Sequence, residues 1–172
     1  MKEFPQAVIE QTDAYFKGQK FPVEEARLGD LDISYYVIPQ ALSPELPDFA
    51  MRMTRTDEAT GEVSGIFGVS DSVPSELRPY WAAHEIIEFT KIGIGKEGRC
   101  TEAEKSVVDL VPQNLKESYI ARRTDFFTNL IGYFRKDLQA KTGNYTRGDL
   151  HEAVTSLRYL RSLAPKTPAR KA

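Results

Sequence analysis

The sequence predicts an α+β fold: a small antiparallel sheet with a β-hairpin, packed against a buried central helix and a helical C-terminal half. Three observations carry this. Residues 49–56 and 62–70 flank the turn sequence Asp57-Glu58-Ala59-Thr60-Gly61, and the second stretch alternates Val63, Gly65, Phe67 and Val69 with smaller or polar neighbours. Residues 75–92, SELRPYWAAHEIIEFTKI, are apolar on nearly every side of a helical wheel, as in a buried helix. From residue 114 onward, large apolar side chains recur at helical spacing.

The elements follow in order. Ala7, Val8, Ala14, Tyr15 and Phe16, with Gly18 as a stop, predict a short helix over 5–16. Residues 19–32 are mixed and charged and carry no clear pattern. Residues 33–42, ISYYVIPQAL, are aromatic and β-branched, so they read as a strand that Pro39 ends or confines to an edge. Gly65 and Gly68 weaken the second hairpin strand and suit a close approach by another backbone. Val73-Pro74 places the start of the central helix at Ser75, an N-cap type, with Pro79 tolerated in its first turns. Gly93, Gly95 and Gly98 loosen the next connection. Thr101 and Glu104 have capping-box spacing, predicting a helix from Thr101 to Pro112. Residues 114–140 form a long helix through Leu115, Tyr119, Ile120, Phe126, Phe127, Leu130, Ile131, Phe134 and Leu138. Gly143-Asn144 turns the chain into a last helix over 147–163.

A chain of 172 residues suits one domain, here 1–164, followed by a flexible basic tail, 165–172. A net charge of −2 and a pI near 5.8 argue against a general nucleic-acid binder. Arg122-Arg123 before Phe126-Phe127 does mix base and aromatic, but at helical spacing the phenylalanines read as core. A single cysteine, an N-terminus broken by Glu3, Glu10 and Asp13, and no bilayer-length apolar run together predict a cytoplasmic protein without a membrane partner.

The central helix contains a conflict. His84, Glu85 and Glu88 sit in its middle, and ionisable groups in a buried helix are costly unless paired, neutralised or bound to a metal. His84 and Glu88, four apart, share a face and could reach one cation, for which zinc is the expected identity. Glu85 would then be free to act as a general base on an activated water.

The stretch His84-Glu85-Ile86-Ile87-Glu88 resembles the zincin metalloprotease signature, with a glutamate where the second histidine belongs. The resemblance spans about residues 49–92. It implies a small intracellular metal-dependent hydrolase, with peptides as one candidate substrate class, in which His84 and Glu88 are ligands and Glu85 is the base. It also implies that 62–70 is an edge strand holding an extended peptide. A third ligand would come from Glu102, Glu104, His151 or Cys100, and the sequence does not choose among them. Cys100, beside Arg99 at a helix N-terminus, sits where a thiol pKa is ordinarily lowered. The competing reading is a non-catalytic protein-binding domain. In it His84, Glu85 and Glu88 form a structural polar network with cations such as Arg78, Lys91, Arg122 or Arg123, and the aromatics or a sheet edge meet a partner.

Overall fold

A computed structural model describes residues 3–93 and 95–164. The expected flexible tail, 165–172, lies outside the described residues.

The architecture is α+β. Helix α1 (Gln6–Gly18) leads into strands β1 (Val23–Leu28), β2 (Leu31–Ile38), β3 (Ala50–Thr56) and β4 (Val63–Ser70). Helix α2 (Arg78–Ile86) continues directly into a π-helical turn, Ile87–Ile92, before α3 (Arg99–Leu110), α4 (Gln113–Ala140) and α5 (Arg147–Leu163). Residues 19–32, which carried no pattern, hold β1 and its turn into β2. Gly29 supplies the positive φ that this two-residue turn requires.

The sheet is mixed, which corrects the antiparallel expectation. Its order is β1-β2-β4-β3, with β2 and β4 parallel and the other two pairs antiparallel. The 49–70 hairpin forms as expected but docks by its second strand. The reason is burial: Gly68, Val69 and Ser70 of β4 are buried, whereas β3 carries Arg52 and Arg55 and takes the edge. Residues 68–70 are therefore flanked on both sides, and among the described residues only the first half of the 62–70 stretch keeps a free edge. The two glycines do permit close approach. A Cβ at Gly65 would run into the Met53 carbonyl oxygen, and one at Gly68 into the Ile38 side chain.

Alternation along β2 divides the core. Ile33, Tyr35 and Val37 face the larger core with Val69, Leu77, Trp81, Tyr119, Phe127 and Leu160. Tyr36 and Ile38 face the other way, onto Phe16 of α1 and Phe49. Helices thus cover both faces of the sheet, unequally. Helix α2 lies between the sheet and the α3–α5 layer, which is why it can be apolar all round.

Two helix starts moved for identifiable reasons. The central helix begins at Arg78 rather than Ser75, after a tight turn in which the Leu77 N–H donates to the Pro74 carbonyl at 2.8 Å. Pro79 then lies in the first helical turn, where its missing N–H costs nothing. Helix α3 begins at Arg99, and the expected Thr101 cap does not form. Instead Glu152 of α5 accepts the backbone N–H groups of Gly98 (2.9 Å) and Cys100 (3.1 Å). The Thr101 hydroxyl turns inward to Ser156 at 2.9 Å. Among the described residues no helix is long and apolar enough to cross a membrane.

Candidate metal centre

The conflict in the central helix resolves into a buried ionic cluster. His84 lies in the last turn of α2 and Glu88 four residues later in the π-helical turn, with His84 Nε2 3.2 Å from Glu88 Oε2. The glycine-rich connection then brings the first turn of α3 back across this helix. That return sets Cys100 Sγ 3.5 Å from the same His84 Nε2. One donor atom from each of His84, Glu88 and Cys100 lies within 4.8 Å of the other two. For a tetrahedral zinc site with bonds of about 2.0–2.3 Å, neighbouring donors stand roughly 3.3–3.6 Å apart. The His–Glu and His–Cys separations are close to that spacing.

The opposite side of the imidazole is equally organised. His84 Nδ1 lies 3.0 Å from Glu104 Oε2, an ion-pair contact. It is out of line for a hydrogen bond, so Nδ1 has no hydrogen-bond partner. Glu104 is fully buried and heavily held. Arg123 donates from Nη2 at 2.6 Å and from Nε at 3.0 Å, and the Tyr119 hydroxyl donates at 2.8 Å. The Arg123 guanidinium is itself enclosed by Trp81, Phe126 and Phe127, with its central carbon about 5 Å from each ring centre. Glu88 keeps a second oxygen for Arg99, whose Nε donates at 2.8 Å.

These contacts move the proton affinities. Burial and the Arg123 charge press the His84 pKa down, but Cys100, Glu88 and Glu104 around the ring outweigh them and hold it well above the ordinary value. Burial raises Glu88 and Glu104, yet their cationic partners win in both. Glu88 is lowered by His84 and Arg99, and Glu104 falls to about 2 under Arg123 and His84. Burial pushes the Cys100 thiol up, which corrects the expectation of a lowered pKa at a helix N-terminus. The reason is visible in the fold: the N–H groups that would favour a thiolate already carry the Glu152 carboxylate. Burial and the neighbouring Glu88 raise Glu85.

The sequence-predicted residues separate clearly. His84 and Glu88 meet as the i, i+4 spacing required, and of the four proposed third ligands Cys100 joins them. Glu104 reaches the other imidazole nitrogen, so it supports His84 from behind. Glu102 is exposed and pairs with Lys96 at 2.8 Å. His151 is exposed on α5 and is not part of the cluster. Glu85 is half-buried beside the cluster and takes part in none of these hydrogen bonds or ion pairs.

Arg123 is a partner of the cluster, whereas Arg122 turns away and donates to Asp48 at 2.7 Å. Phe126 and Phe127 are core, as their spacing implied. Tyr119, Glu152 and Ser156 were not foreseen as supports of the site. Only a polar atom among apolar ones at helical spacing hinted at Tyr119 and Ser156.

No family model, no curated protein and no solved structure matches this chain.

Proposed function

We propose that this protein is a metal-dependent hydrolase whose cation is held by His84 Nε2, Glu88 Oε2 and Cys100 Sγ, with Glu85 as the general base. The convergence of three ligand-type atoms from two helices, with spacings near those of a tetrahedral zinc site, carries the reading. A thiolate and an imidazole in one set favour zinc over magnesium or calcium. Bound there, such a cation would supply Lewis-acid polarisation of a substrate carbonyl.

The residues around the ligands suit those roles. Glu104, 3.0 Å from Nδ1, places a carboxylate behind the imidazole, on the side where a metal-binding histidine commonly has one. Glu85 makes none of the cluster's hydrogen bonds, and burial with the neighbouring Glu88 raises its pKa, which suits the role of a base. Charge also balances. Exchanging the protons of His84 and Cys100 for one dication leaves the net charge of the buried cluster unchanged, avoiding the cost of burying extra charge. The substrate pose this reading implies is a peptide along residues 63–67 of β4. There Phe67 pairs with Arg52, whose guanidinium lies 3.5 Å from the Phe89 ring centre next to Glu88.

One observation favours the alternative, a structural polar network in a non-catalytic binding domain. Glu88 and Glu104 each already have an arginine partner. Elemental analysis of the purified protein beside His84→Ala and Cys100→Ala separates the two. Near-stoichiometric zinc lost in both variants supports the metal centre, and no zinc in the parent protein after zinc is supplied refutes it. Activity against unstructured peptides that disappears in Glu85→Gln, with metal content intact, would assign the base.

A further inference from the structure

Among the described residues, strand β1 offers a free edge whose chemistry is complementary to itself. Its side chains alternate sharply: Glu24, Ala26 and Leu28 are half-buried toward the helices, whereas Val23, Glu25 and Arg27 are exposed. The backbone alternates in step. The Val37 N–H donates to the Pro22 carbonyl at 2.8 Å, and the β1–β2 register continues from there. In an antiparallel ladder every second residue bonds to the neighbour, so the even-numbered residues of β1 bond to β2. The N–H and C=O groups of Val23, Glu25 and Arg27 point outward.

An unprotected edge of this kind pairs with another strand unless something blocks it. The guards on this one are charges, and they have a self-complementary order. If two copies of β1 meet antiparallel about a two-fold axis through Ala26, each Glu25 falls opposite Arg27 of the second copy. These are the residues whose backbone groups point outward, so each such pair exchanges two backbone hydrogen bonds. Ala26 opposes Ala26 at the centre, in a non-hydrogen-bonded pair where side chains come closest and small ones fit. The neighbouring register sets Glu25 against Glu25 and is repulsive. The contacts that Arg27 now has are weak and exposed. Its Nε donates to the Gly29 carbonyl at 3.3 Å and lies 3.7 Å from Asp32, with the Arg27 and Asp32 side chains more than 70% exposed.

We infer that the protein forms a two-fold homodimer through antiparallel pairing of β1 with β1, joining the two four-stranded sheets into one of eight. The interface is isologous and closes on itself. It lies on a different element from His84, Glu88 and Cys100, so it does not depend on metal binding.

Sedimentation velocity on the full chain from low to high micromolar concentration tests this. The parent protein should sediment as a dimer. Glu25→Arg and Arg27→Glu each place like charges opposite one another twice, and each should raise the dissociation constant by roughly tenfold or more. Mixing the two variants should restore a dimer, because a heterodimer recovers both opposite-charge pairs. Circular dichroism confirms that these exposed substitutions leave the fold intact. A parent protein that stays monomeric overturns the inference. So does a dimer that persists in both variants, which would place the contact elsewhere, and so does failure of the mixture to associate.

Discussion

Loading the metal centre should release two protons per cation, and that number follows from the cluster. Below the raised pKa of His84 the imidazole carries a proton, and burial keeps Cys100 a thiol. Glu88 is lowered and contributes no proton near neutral pH. A cation bound to Nε2 and Sγ must displace one proton from each. The association constant should therefore climb about a hundredfold per pH unit near neutrality, flattening only above the histidine's raised pKa. Isothermal titration calorimetry of zinc into the apoprotein, repeated in buffers of different ionisation heat, counts the protons directly. Cys100→Ser should bind more weakly and reduce the count to one. A count near zero in the parent protein, or an affinity independent of pH, would refute the assignment of His84 and Cys100 as ligands.

Other consequences concern the scaffold. Arg123→Met leaves Glu104 buried without its main cation and should cost about 3–5 kcal/mol, lowering Tm by roughly 6–20 °C in thermal unfolding. Glu104→Gln in the same background should recover part of that loss, because the uncompensated charge goes. Glu104 also predicts acid lability. Its folded pKa of about 2 lies below the ordinary 4.5, so its stabilisation is full above 4.5 and lost as pH falls toward 2. The loss amounts to about 3 kcal/mol and should appear as a falling urea midpoint across that window. His84 acts in the opposite sense: its raised pKa stabilises the apoprotein at low pH, and that contribution fades as pH rises through the folded value. Glu152→Ala uncaps α3 and should cost about 1 kcal/mol in a denaturant melt.

Local chemistry made the helical half legible. Residues 114–140 and 147–163 carry a periodic stripe bounded by Pro112, Gly143 and Asn144, and both helices form within a residue of the expected limits. Turn residues between alternating segments made the 49–70 hairpin equally plain. Strand order was not legible. Which hairpin strand sits inside depends on burial against α2 and β2, and no local pattern records that. Residues 19–32 hid β1 for a related reason: an edge strand that exposes Val23, Glu25 and Arg27 has little apolar signal to read.

The site divides along the same line. That His84 and Glu88 share a face, and that both conflict with an apolar helix, is a property of spacing along one helix and stands in the sequence alone. The roles of the distant residues were decided only in three dimensions. Cys100 joins the histidine because the glycine-rich connection folds α3 back over α2. Glu104, one turn further along α3, meets the other imidazole nitrogen and the enclosed Arg123. The thiol's proton affinity turned on burial under helices distant in sequence. Helical periodicity is set by bonds between residues three and four apart, so a sequence displays it. Electrostatics acts across space, and its partners become neighbours only when the chain has folded.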